Sequence, residues 1–204
     1  METGYCESRR MREKNKLRQA ILDTARSIAV EEGFEAVTIR RISSAIEYGA
    51  PAIYALFENK EAIFQELLLG GYDELLEALK KACHEESDPE TRLLALARAY
   101  WNYAENCPRL FNAMHGLTAS VPGIHEKPAA AAQIQAMVGG ILQEIFQPRQ
   151  LSPEELDDMV QLLRGTMQGL VSIALAGRIR GGRDRALTLL ERSVKDYLKA
   201  WREG

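Results

Sequence analysis

The chain has 204 residues, 46% hydrophobic and 27% charged, the composition of a folded protein long enough to bury a core in one domain or two. No run approaches the ~18 uninterrupted apolar residues of a membrane span, and the polar start from Met1 to Arg18 lacks the apolar stretch of a secretory signal. A net charge of −3 argues against indiscriminate coating of nucleic acid, and three scattered cysteines, Cys6, Cys83 and Cys107, suit reduced thiols in a cytoplasmic protein better than a disulfide framework.

The charge is unevenly spread: residues 1–60 carry a net +1 and the remainder −4. Arg9, Arg10, Arg12, Lys14, Lys16 and Arg18 form a basic run broken only by Glu13, which attracts phosphate at long range. Alone, such a run is equally a solvated terminus. The helices behind it give it meaning.

The first helix is predicted over about 12–32, because Leu17, Ile21, Leu22, Ala25, Ile28 and Ala29 recur at three- and four-residue spacing. Gly33 can take positive φ and stop it, and Phe34 and Val37 pack under the turn. Thr38 is placed to cap a second helix near 39–45, with Ile39, Ile42 and Ile46 as its buried side. After a tight turn at Glu47–Tyr48–Gly49 comes a third helix near 50–56, with Pro51 in its first turn. Asn59 caps a fourth helix from Lys60 to about His84.

Further along, Asp88–Pro89 starts a helix to about Asn106, Cys107–Pro108 interrupts it, and a short helix follows near 109–116. Val121–Pro122–Gly123 marks a break. Residues 126–147 resume helix, weakened or kinked by Gly139–Gly140 and ended by Pro148. Ser152–Pro153–Glu154–Glu155 is a strong start signal for a helix to about Ala176. Gly181–Gly182 turns the chain into a last helix near 183–201. No alternation long enough for a sheet appears. The expected fold is all-α, about nine helices: a three-helix helix-turn-helix domain over 12–60, then a helical effector-binding and dimerisation domain over 61–204.

Two short helices joined by a tight turn suit DNA reading, since the major groove accepts one helix while the other crosses the backbone. Ile42, Ile46, Ile53 and Phe57 would hold their angle. The candidate contacts are Arg40, Arg41, Ser43, Ser44, Tyr48, Gly49, Ala50, Ala52, Tyr54 and Lys60. Tyr54 offers a hydroxyl to phosphate, Lys60 a cation at a helix start, and the methyl groups of Ala50 and Ala52 a contact for thymine. With few long polar side chains in the set, specificity would rest on apolar contacts, DNA shape and half-site spacing.

These residues carry a resemblance. An Ile-Leu-x-x-Ala opening at 21–25 and the end at Glu31–Phe34 are followed by Val37–Thr38–Ile39–Arg40 and Ile42. Ile53–Tyr54, Phe57 and Asn59–Lys60–Glu61 then lead into an apolar helix. As an ordered set over 21–68 they resemble the N-terminal DNA-binding domain of TetR-family transcriptional regulators. The resemblance implies that Tyr54 and Lys60 match phosphate-contacting positions and that Ala50 and Ala52 lie on the recognition helix. It also implies a homodimer whose helical body binds a small ligand that separates or tilts the two heads and releases DNA. Three positions depart from the pattern: Glu47 stands where Gly is frequent, Gly49 where Ser or Thr is, and Pro51 where Gly is. More weakly, 89–117 and 160–200 resemble one C-terminal subclass, whose Trp-His-Gly cluster appears here as Met167–Gln168–Gly169.

In the body, Gly165, Gly169, Ser172 and Ala176 form a small-residue stripe, and Leu187, Leu190, Val194 and Leu198 an apolar one. Two copies could pack these helices as a four-helix bundle; an internal hairpin would bury the same faces within one chain. Tyr100, Trp101, Tyr103, Phe111, Met114, His115, Met137, Ile141, Met167 and Gln168 offer bulk, thioethers and a few polar handles for a largely apolar or aromatic effector. Catalysis finds little support. His84, His115 and His125 form no metal-binding pair, adjacent glutamates do not share a helix face, and Gly181–Gly182 lacks the context of a phosphate loop. No cofactor, metal or membrane partner is expected. The partners expected are double-stranded DNA, a second copy and a small organic effector. The leading expectation is a repressor; the alternatives are an activator of the same family and an all-helical dimeric adaptor that binds a protein partner.

Overall fold

The computed structural model describes residues 3–119, 121 and 128–203, with side chains from Arg9 onward. Its described residues form nine α-helices and no strand. They are α1 (Thr3–Glu31), α2 (Ile39–Ile46), α3 (Ala50–Tyr54), α4 (Lys60–His84), α5 (Pro89–Asn106), α6 (Pro108–Met114), α7 (Ala129–Ile145), α8 (Pro153–Leu175) and α9 (Gly182–Glu203). Among the described residues no helix is long and apolar enough to cross a membrane. The chain forms two compact units, Met1–Gly71 with Asn112–His125, and Tyr72–Phe111 with Glu126–Gly204. The division falls inside α4, eleven residues beyond the expected boundary at 60.

In the first unit, α1 packs on α2 and α2 on α3. Ile21, Ala25 and Ala29, four residues apart, bury one stripe of α1, while Leu17, Leu22 and Ile28 stay half-buried at its margins. Gly33 has φ of 105°, leading into a 3₁₀ turn at Phe34–Ala36. There Phe34 meets Phe64 edge-on at 5.3 Å. The Thr38 side chain accepts the Arg41 N–H at 3.2 Å and caps α2, and Asn59 Oδ1 accepts the Ala62 N–H at 2.8 Å at the start of α4.

Several expectations are corrected in this unit. The first helix begins at Thr3 instead of near 12, so the basic run lies on a helix and is no arm in front of one. The third helix ends at Tyr54, two residues early. Of the three isoleucines of α2 only Ile42 is fully buried; Ile39 and Ile46 are half-buried.

In the second unit α5 is central, packing on α7, α8 and α9. It therefore buries one broad face: Leu93, Leu96, Ala97, Tyr100, Trp101, Tyr103 and Ala104. Ion pairs Glu90–Arg202, Arg98–Glu191 (2.6 Å) and Glu105–Arg183 (3.3 Å) climb α5 as they descend α9, which makes the two helices antiparallel. Exposed pairs of this kind contribute little energy each; the packed faces hold the helices together. The capping box at Ser152 forms in both directions, Glu155 N–H to Ser152 Oγ at 3.2 Å and Ser152 N–H to Glu155 Oε2 at 2.9 Å. Gly139–Gly140 neither interrupt nor end α7. Gly139 is buried against Leu156 of α8, where a Cβ would lie 3.5 Å from the leucine methyl, and Gly140 faces open space. Pro122, Gly123, His125 and the first two residues of the expected 126–147 helix lie outside the described residues.

Candidate nucleic-acid interface and effector body

The head presents two short helices braced from behind. Ile42 and Ile53 are wholly buried and Phe57 nearly so, which anchors α2 and α3 to the core by apolar burial of about 1.5–3 kcal/mol per large side chain. The turn between them is tight because Glu47 takes a left-handed conformation, φ 58° and ψ 32°, and its N–H is bonded to the Ser43 carbonyl. The Tyr48 N–H bonds to the same carbonyl at 3.2 Å, and the Ser43 hydroxyl donates to the Tyr48 carbonyl. Gly49 precedes α3 without a side-chain cap.

This geometry leaves a particular set of groups outward. Tyr48 and Tyr54 are 53% and 54% exposed, unusual for aromatic rings. Arg40, Ser44 and Gly49 are also exposed, and Ala50, Ala52, Ser43 and Lys60 half-buried. The Lys60 ammonium lies 5.1 Å from the Phe64 ring centre at the start of α4. Two cations of the basic set are engaged internally. Arg41 makes a two-pronged ion pair with Glu32, which holds the carboxyl of Glu32 below its ordinary range and raises Arg41. Arg18 stacks on Phe57 at 4.5 Å, donates to the Leu56 carbonyl at 3.2 Å and pairs with Glu66. The sequence offered no sign of these pairs, because Glu32 and Glu66 lie 9 and 48 residues from their partners.

The body contains an apolar cavity of about 50 Å³ lined by residues of α4, α5, α7 and α8. Of the ten expected effector residues, Tyr100 and Met167 line it. Trp101, Tyr103, Phe111, Met114 and Ile141 are buried core, with Phe111 edge-on to Tyr100 at 5.3 Å; His115, Met137 and Gln168 are half-buried. The lining also includes Leu79, Leu93, Leu96, Ile134, Gln135, Val138, Val160, Leu163 and Arg164, which the aromatic-led sequence reading overlooked. A legible signal existed: 160, 163, 164 and 167 share one helix face.

The expected interface needs correction. Leu190, Val194 and Leu198 are 0–2% exposed within the single chain and Leu187 is half-buried, so this face of α9 is the subunit's own core. The internal hairpin wins there. On α8, by contrast, Gly165 and Ala176 are exposed, Gly169 and Ser172 half-buried, and neither glycine has any atom near the place of a Cβ. Leu162 and Ile173 stand beside them, 48% and 46% exposed.

Comparisons with known proteins agree with this architecture. The family model described as bacterial regulatory proteins, tetR family, matches residues 21–67, and that of the tetracyclin repressor-like C-terminal domain matches 93–197. No curated protein matches the chain. Among solved structures, a protein of unknown function from Rhodococcus sp. RHA1 superposes with TM-score 0.76 at 22% identity, covering 90% of this chain and 94% of its own. A TetR-family transcriptional regulator from Bordetella parapertussis 12822 gives 0.62 at 19%, covering 89% and 93%. RolR in complex with resorcinol gives 0.64 at 15%, covering 93% and 89%. At these identities the structures speak for the fold; the two family models, which between them account for most of the chain, place it in the TetR family of transcriptional regulators.

Proposed function

We propose that the chain is a cytoplasmic homodimeric repressor. It holds a palindromic operator through α2 and α3 of each copy and releases it when a small, largely apolar or aromatic organic effector enters the body. The observation that carries the reading is the pair of exposed rings, Tyr48 and Tyr54, on a two-helix surface whose opposite side is anchored by Ile42 and Ile53. Two outward tyrosines, Tyr48 in a groove it lines with Arg10 and Lys14, together with exposed Arg40 and Ser44, suit phosphate and groove contact. The apolar cavity supports an effector of modest size, and RolR, of the same fold, is solved with resorcinol, a small aromatic molecule. The small-residue stripe of α8, exposed at Gly165 and Ala176 and flanked by exposed Leu162 and Ile173, supports a second copy, which two half-sites require.

Selection from a random duplex library, followed by anisotropy on the enriched site at increasing salt, tests the reading. An inverted repeat whose affinity falls steeply with salt is the expected result. Folded protein that enriches no sequence would instead favour a protein-binding adaptor. Release requires the effector to bind the free protein more tightly than the DNA-bound one, by the same factor that it weakens DNA binding. Transcription from a template bearing the selected site separates repressor from activator.

A further inference from the structure

The cavity of the second unit has an almost wholly apolar wall and one charged residue at its edge. Val160, Leu163, Arg164 and Met167 lie on the face of α8 that lines it, opposite Leu79, Leu93, Leu96 and Val138. Arg164 is exposed and makes no ion pair among the described residues; Arg178, Arg180 and Arg185 of the same unit make none either, but only Arg164 borders this cavity. No acidic residue stands at the helical neighbours 160, 161, 167 and 168. The residues whose charge Arg164 does influence are Tyr72 and Tyr100. Burial raises both phenols, most strongly at Tyr100, and the guanidinium works against that rise at each. They are therefore neutral O–H groups near a cation that lacks an anion.

From this arrangement we infer that the effector is a small organic acid, its hydrocarbon part in the cavity and its carboxylate on Arg164 at the rim. The inference rests on the effector-responsive reading above and narrows its ligand to one chemical class. A guanidinium meets a carboxylate in two parallel N–H bonds, a match that a neutral amide or alcohol cannot reproduce. Size limits the body of the acid. The cavity is well below the ~150 Å³ that admits a benzene ring. A short branched or linear chain therefore fits the observed conformation, and a ring enters when the flexible Met167 side chain moves aside.

Calorimetry on the full-length protein without DNA, with matched acid and amide pairs, tests this. The probes are butyrate and butyramide, isovalerate and isovaleramide, hexanoate and hexanamide, and benzoate and benzamide. At least one acid is expected to bind about tenfold or more tightly than its amide, the preference of a charge-assisted contact. Arg164→Gln should abolish the preference and Arg164→Lys should keep part of it; because Arg164 is exposed, both variants should melt like the parent. Equal affinity of acids and amides, absence of binding by every acid, or a preference that survives Arg164→Gln would each overturn the inference. Operator binding is measured separately, so a protein that binds DNA but prefers no acid fails only here. One that binds acids but no DNA fails in the broader reading.

Discussion

Glu47 is the residue where conformation and chemistry conflict most plainly. A side chain at φ 58° costs roughly 1–2 kcal/mol over the right-handed region, and the residue puts a negative charge on the proposed DNA-binding face. Glu47→Gly removes both burdens but loosens the unfolded chain, so the net gain in stability is about 0.5–1 kcal/mol. Thermal melting should rise slightly, and operator affinity should improve with a smaller benefit at high salt. Tyr54→Phe asks a different question at the neighbouring helix. The ring is 54% exposed and α3 is anchored by Ile53, so melting should not change. Loss of a hydroxyl bond to phosphate should weaken operator binding about tenfold. A Phe variant that binds as tightly as the parent would remove Tyr54 from the contact set.

Helix boundaries were legible wherever a residue had a local mechanism for setting one. Thr38, Asn59, Asp88 and Ser152 each bond to a backbone N–H three residues on, and that chemistry depends on sequence separation alone. What stayed hidden depends on partners distant in the chain. The periodic stripe Leu190, Val194, Leu198 announced a buried face but not whether another helix of the same chain or a second copy covers it. For the same reason, the sequence showed Arg164 as one more helical cation. Gly139–Gly140 leave α7 continuous, since a helix packed on α5 and α8 keeps its hydrogen bonds through two glycines. Gly140 has open space where a Cβ would go, so Gly140→Ala should stabilise the protein by about 0.5–1 kcal/mol, readable in urea unfolding. The caps also carry a pH dependence. Asp88 is held below its ordinary 3.8 first by the Thr91 N–H, and Glu155 below its ordinary 4.5 first by the Ser152 N–H. Both are depressed in the folded state, so their contribution is complete above the ordinary carboxylate range and disappears as pH falls through the lowered values. Protection of amides against exchange, measured relative to their intrinsic rates at each pH, should therefore fall at the starts of α5 and α8 on acidification before it falls in their centres.

For the molecule as a whole, the feature with the largest functional consequence is the face of α8 turned away from α5, α7 and α9. Its stripe of Gly165, Gly169, Ser172 and Ala176 is flanked by Leu162 and Ile173, two large apolar side chains left in water. A second copy approaching closely over the glycines would bury them symmetrically. Ile173→Glu places a charge on that face without touching the core. It should shift the protein from dimer to monomer in sedimentation velocity and weaken operator binding by orders of magnitude, since each monomer then grips a single half-site. Leu190→Glu supplies the contrast. Leu190 is already buried within the subunit, so an unpaired carboxylate there should unfold the body by several kcal/mol whatever the assembly state. If Ile173→Glu sediments as a dimer and binds the operator normally, the contact between copies lies elsewhere. If Leu190→Glu folds and merely dissociates, this face of α9 is an interface and not core.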